Sequence, residues 1–258
     1  MNILEIEKLT KKFSGLVALM DVAFALEKGA IKSLIGPNGA GKTTLFQIIS
    51  GVLAPSTGRV KFEGRDITRR PAHEICALGV SRTFQLIRLF PNMTVLENVL
   101  TGRHIHLKTG VFWSGFMLPH TRREERQARE KCREILEFLG LADRADFPVS
   151  ALPYGQQRLV EIGRALASEP KIVLLDEPAA GMNPRESSLL AGKIVEMRAR
   201  GITVFLVEHD MGLVMEISDE VVVLNYGQVI AEGPPGSIQE NPLVIEAYLG
   251  VKTENALP

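Results

Sequence analysis

Short apolar runs rich in β-branched residues recur along the chain, and amphipathic stretches of helical period separate them. The runs predict strands at residues 3–9, 31–35, 58–62, 172–175, 203–207 and 220–224. The periodic stretches predict helices at 42–50, 155–168, 184–200 and 211–216. The helix at 184 has a clear start. Asn183 can act as N-cap, Pro184 fits the first helical position and Glu186 completes a capping box. Strands alternating with helices specify an α/β fold with a mainly parallel core sheet. The N-terminal strands, with a hairpin-like segment at 224–233, suggest an added antiparallel β part.

The middle of the chain breaks this rhythm. Residues 94–141 carry no strand signal, and 122–140 read as one long charged helix with apolar positions at Ile135, Leu136 and Leu139. We read a helical lobe, about 94–169, inserted into a core of about 1–93 and 170–240, with a C-terminal extension over 241–258. The whole is one domain. The mixed-sign run 122–130 reads as a solvated helix face. Residues 102–120 hold the single tryptophan, Trp113, beside Phe112, Phe116 and Met117. Either the lobe packs these aromatics on itself or they meet a partner. Residues 253–258 are expected to fray.

Composition narrows the class. In 258 residues, 30 Lys and Arg balance 30 Asp and Glu, which argues against bulk binding to nucleic acid. Cys76 and Cys132 are too far apart for a zinc motif or a disulfide framework, so both are read as free thiols. The N-terminus has no signal-peptide core, and no run reaches the ~18 apolar residues of a membrane span. A slightly positive mean hydropathy, +0.10, leaves room for a buried partner surface.

The strongest chemical signal is Gly36-Pro37-Asn38-Gly39-Ala40-Gly41-Lys42-Thr43-Thr44, between a predicted strand and a predicted helix. It carries the spacing G-x-x-x-x-G-K-[ST]. Glycines let the backbone curl so that successive N–H groups face phosphate oxygens, and the following helix N-terminus adds its dipole. Lys42 would reach the β- and γ-phosphates, and the Thr43 hydroxyl would hold Mg²⁺. A second element, residues 171–178, runs four apolar residues into Asp176 and Glu177. At the carboxyl end of a parallel strand, Asp176 can support Mg²⁺ while Glu177 polarises a water. Together these elements indicate a nucleoside triphosphate and Mg²⁺.

Further features in chain order resemble the ATP-binding subunits of ABC transporters, over nearly the whole length. Phe13 stands where that family has its adenine-stacking aromatic; a core phenylalanine on an early strand is the alternative. Gln85, in Arg-Thr-Phe-Gln, is similar to the Q-loop glutamine that touches Mg²⁺. Leu152-Pro153-Tyr154-Gly155-Gln156 resembles the signature segment Leu-Ser-Gly-Gly-Gln, with Pro153 and Tyr154 departing from it. Residues 179–183, with Gly181 and Asn183, resemble the D-loop, and His209 resembles the switch histidine at the γ-phosphate. The departures, together with segments 88–99, 224–233 and 244–250, look like the branched-chain amino-acid importer branch.

The resemblance implies a P-loop ABC ATPase whose catalytic residues are Glu177, His209 and Gln85, with Thr43, Gln85 and Asp176 around the metal. It implies a head-to-tail pair with a second homologous ATPase, in which the signature segment of one subunit covers the ATP of the other. The pair is either homomeric or heteromeric, and the altered signature is compatible with a heteromeric pair whose two sites are unequal. Two membrane permease subunits and an extracytoplasmic substrate-binding protein would complete the complex, with this chain peripheral on the cytoplasmic face of the membrane. Urea or amide importers and lipopolysaccharide-type exporters share these residues and stay open as alternatives. A soluble regulatory ABC protein fits less well, because one phosphate loop is present and no long heptad run.

Overall fold

The computed structural model describes residues 1–83, 85–106 and 119–249. Trp113, Phe112, Phe116, Met117 and residues 253–258 lie outside the described residues. The strands are β1 (Asn2–Phe13), β2 (Leu16–Glu27), β3 (Ile31–Ile35), β4 (Thr57–Phe62), β5 (Arg65–Asp66), β6 (Val80–Arg82), β7 (Ile172–Asp176), β8 (Thr203–Val207), β9 (Glu220–Asn225) and β10 (Gln228–Gly233). The helices are α1 (Lys42–Ile49), α2 (Ala72–Leu78), α3 (Val95–Thr101), α4 (Pro119–Phe138), α5 (Tyr154–Leu166), α6 (Pro184–Ala199), α7 (Met211–Ile217), α8 (Pro235–Gln239) and α9 (Pro242–Leu249).

Two sheets form. The first, in the order β2-β1-β4-β5, is antiparallel. The second, β10-β9-β3-β8-β7-β6, is parallel except at its β10 edge. Every residue of β3, β7 and β8 is buried, Lys32 and Ser33 of β3 included, because a parallel strand is covered on both faces; β7 and β8 accordingly read as nearly continuous apolar runs. Ile31, Val173, Leu175, Val204 and Leu206 face a core shared with α3, α4, α5 and α6. Leu34, Leu174, Phe205 and Val207 face the opposite core, with Phe46 of α1 and the inner face of the antiparallel sheet. The parallel sheet is thus a central layer between a helical layer and an antiparallel one.

The hairpin 224–233 departs from its expected place. It belongs to the parallel sheet, where β10 forms the antiparallel edge on β9. Tyr226 and Gly227, both at positive φ, turn the chain back onto a strand already paired with β3. Strand β2 was not expected. Its Ala, Leu and Met suit a helix, and pairing along the whole of β1 imposes the extended form. The expected charged helix is α4, and most of residues 123–130 are exposed while Ala128 turns inward. Both cysteines are free, and burial pushes the Cys132 thiol up to about 11, so it is an unreactive core residue.

The capping box on α6 is present as expected: Asn183 accepts from the Glu186 N–H and Glu186 accepts from the Asn183 N–H, each at 3.0 Å. Asn183→Ala should lower stability by about 1 kcal/mol, a fall of roughly 2–4 °C in Tm for a domain of this size. A thermal melt of the full chain checks this; an unchanged Tm would mean that the cap contributes nothing.

Candidate functional site

Four neighbouring strands, β3, β8, β7 and β6, run parallel and end on one edge of the sheet. The loops leaving them carry, in the same order, the phosphate-loop motif, His209, Glu177 and Gln85. Residues separated by up to 173 positions are gathered because ligands of such sheets sit at the carboxyl ends of the strands.

The glycine loop has little freedom to vary. Gly36 has φ +148°, and a Cβ there would lie 2.0 Å from the Leu224 carbonyl oxygen. Gly41 has φ +104°, and its Cβ would lie 2.6 Å from the Ala18 carbonyl oxygen. Both positions exclude every side chain. The hairpin turn braces the loop from outside, since Gly227 N–H donates to the Ala40 carbonyl at 3.0 Å. Helix α1 starts at Lys42 with no side-chain cap, so its first-turn N–H groups face the cleft as donors for an anion. Lys42 is buried, and its Nζ donates to the carbonyls of Gly36 at 2.6 Å and Pro37 at 3.0 Å. Burial holds its ammonium below the usual lysine range, against the pull of Glu177 and Asp176.

Across the cleft, Glu177 is the hub. Its backbone is in the left-handed region, φ +48°, a conformation that costs on the order of 1 kcal/mol. His209 Nε2 lies 2.9 Å from Oε1, and Gln85 Nε2 donates to Oε2 at 2.9 Å. Glu208, buried, accepts from the N–H groups of Ala179 at 2.7 Å and His209 at 3.1 Å. It staples the His209 loop to the loop beyond Glu177, and burial pushes its own carboxyl above the usual range. Asp176 is almost fully buried behind Glu177, and Arg82 Nη2 donates to its Oδ2 at 2.9 Å. That ion pair has no signal in the sequence, because β6 is only three residues long.

A cleft of about 470 Å³ is lined by Phe13, residues 38–44, Gln85, Glu177 and His209. Gly36 and Pro37 stand behind it through their carbonyls. Phe13, at the end of β1, is 42% exposed and so is no core residue; Lys11 Nζ lies 4.9 Å from its ring centre. Leu16, Val17, Ala18 and Tyr226 also line the cleft and were not expected there. Tyr226 occupies a turn position that favours Asn or Gly, and that mismatch is the signal that could have marked it.

Residues 152–156 do not line this cleft. Leu152 is buried, Pro153 is the N-cap of α5, and Tyr154 begins the helix with its ring over Gly181. Gly155 is packed tightly on Glu186, where a Cβ would lie 2.7 Å from Oε1. The segment at 152–156 is therefore packed against the Gly181 loop and the start of α6 through Tyr154 and Gly155. The arrangement can bind a polyphosphate along the loop and set a carboxylate against its far end.

Residues 19–180 match the model of the ABC transporter family, and residues 228–253 match that of the branched-chain amino acid ATP-binding cassette transporter. The chain is 46% identical to the high-affinity branched-chain amino acid transport ATP-binding protein BraF of Pseudomonas aeruginosa, over 96% of this chain and 98% of BraF. It is 44% identical to the corresponding protein LivG of Escherichia coli, with the same coverage. Among solved structures, the ADP conformation of an ATP-binding cassette of an ABC transporter superposes with a TM-score of 0.86 at 39% identity, over 97% of this chain and 100% of the other. A nucleotide-free ATP-binding cassette superposes with a TM-score of 0.85 at 38% identity, with the same coverage. Among the described residues no helix is long and apolar enough to cross a membrane.

Proposed function

The chain belongs to the ABC transporter family of ATP-hydrolysing subunits, and from that premise we propose that it drives an importer of branched-chain or closely related amino acids. The observation that carries the chemistry is the single cleft holding the phosphate loop, Glu177, His209 and Gln85. The substrate class rests on the relatives' names and on the match at residues 228–253.

In this reading Phe13 stacks on the adenine, while the N–H groups of residues 38–44 and Lys42 hold the phosphates. Glu177 takes the proton of the attacking water, and His209 holds the carboxylate in place through its 2.9 Å contact. Thr43 and Gln85 line the cleft and fit a Mg²⁺ bound to the phosphates, an ion that keeps several waters; Asp176, buried and paired with Arg82 outside the cleft lining, would support it from behind. When bound, the ion would neutralise charge on the β- and γ-phosphates.

The segment Leu152–Gln156 lies outside its own cleft, which supports a pair in which it covers the nucleotide of a second ATPase. Pro153 supplies no hydroxyl, so the two sites of a heteromeric pair would differ. We place the subunit on the cytoplasmic face of the membrane, with two permease subunits and an extracytoplasmic binding protein. The whole chain acts as one cassette, with core 1–93 and 170–240, helical lobe 94–169 and extension 241–258.

A pull-down of the full chain from native membranes, read by mass spectrometry, tests the assignment. Recovery of permeases, a second ATPase and an amino-acid-binding protein is expected. Recovery of an exporter permease, or of ribosomes or DNA-repair proteins without permeases, would overturn it.

A further inference from the structure

A buried arginine is costly unless its charge and its fork of donors both find partners. Arg158 of α5 is completely buried. Its Nη1 donates to Glu161 Oε2 at 2.9 Å, and Glu161 is buried as well. Arg164, one turn further on, approaches the same carboxylate at 3.6 Å. Both arginines also reach across to the segment that follows β6. Arg158 Nη2 donates to the Gln85 carbonyl oxygen at 2.8 Å, and Arg164 Nη1 donates to the Arg88 carbonyl oxygen. One buried carboxylate therefore organises two guanidiniums that grip the backbone of the Gln85 loop.

Tyr154 sets the outer side of this grip. Its ring centre is 5.9 Å from the Arg158 guanidinium carbon, and its hydroxyl is 3.3 Å from Nη2. The same ring rests on Gly181, where a Cβ would lie 3.2 Å from it. A glycine in place of Tyr154 would remove both contacts. From Gln85 the line continues to the reacting carboxylate, since the Gln85 side chain donates to Glu177 Oε2 at 2.9 Å. A continuous set of polar contacts thus joins the segment at 152–156 to Glu177.

We propose that Arg158 is a positioning residue for Glu177: it fixes the Gln85 backbone, Gln85 fixes the carboxylate, and Tyr154 holds Arg158 in register. This rests on the reading of Glu177 as the base. Because the segment at 152–156 would cover a partner's nucleotide, the same contacts link that nucleotide to the carboxylate of this subunit's own cleft. The tyrosine that departs from the family pattern is then part of the link.

The test uses the full chain assembled with its partner subunits. Arg158→Lys keeps a charge beside Glu161 but loses the fork that reaches Gln85. It should lower kcat about tenfold with KM for ATP changed less than about twofold. In a Gln85→Ala background the same substitution should have no further effect, because both act through one residue. Should Arg158→Lys fail to fold, Tyr154→Phe removes only the hydroxyl of a half-exposed ring and should lower kcat about threefold, again with no further loss beside Gln85→Ala. Wild-type kcat in a folded Arg158→Lys, wild-type kcat in Tyr154→Phe, or a loss fully additive with Gln85→Ala would overturn the proposal. Glu177→Gln is measured alongside. If it keeps full turnover, the reading of Glu177 fails first; if it is inactive and Arg158→Lys is silent, only the positioning role fails.

Discussion

Glu177→Gln should reduce ATP hydrolysis by about 10²–10⁴-fold, the usual contribution of a general base, while ATP binding is retained. The substitution keeps the volume of the side chain and replaces an oxygen that can take a proton by an amide that cannot. The phosphate contacts lie elsewhere, on the glycine loop and Lys42, so affinity does not depend on the Glu177 charge. The left-handed backbone at residue 177 is equally available to both side chains, and the staple from Glu208 to the adjoining loops is untouched. Phosphate release under saturating ATP, with nucleotide binding followed by filter retention, separates the two effects. Wild-type turnover in this variant would remove Glu177 from the role of base.

Lys42→Ala should act on binding itself. Loss of a buried charge from the phosphate site costs about 3 kcal/mol, on the order of 10²-fold in the Kd for ATP. Without nucleotide the loss is smaller. Among the described residues the carbonyls of Gly36 and Pro37 lose their donor, at about 1 kcal/mol each. A modest fall in the Tm of the free chain beside a large fall in ATP affinity is therefore the signature of a phosphate ligand. Unchanged affinity in a fluorescence titration would contradict it.

The centre of the sheet was legible because strands buried on both faces leave largely apolar runs, interrupted in β3 by the buried Lys32 and Ser33. The predicted strands at 31–35 and 203–207 match β3 and β8 residue for residue, and the helix at 184 was readable from its capping box. Strand β2 was not, because Leu16–Glu27 is extended by pairing with β1 against its own composition. Strand β6 and the short helices α2, α3, α8 and α9 were missed for another reason. Elements of three to eight residues carry too little periodicity, and their stability comes from packing.

The phosphate loop was legible because glycines mark backbone that must curl closely. The same loop's dependence on Gly227, and the cover that Tyr226 gives the cleft, arise from a hairpin almost two hundred residues away. No local pattern announces such a contact. The ion pair of Arg82 with Asp176 and the grip of Arg158 on Gln85 were hidden likewise, since each joins segments that meet only after the sheet has formed.

The order β3, β8, β7, β6 has one more consequence. Backbone pairing sets neighbouring strands about 4.8 Å apart, so the four loop origins are spaced along roughly 14 Å by the dimensions of the peptide group. The sheet is a ruler whose divisions no side chain can alter. A substitution at Lys42, Gln85, Glu177 or His209 changes what stands at a mark and leaves the mark itself in place, so chemistry can vary at one loop while the other three keep their separations.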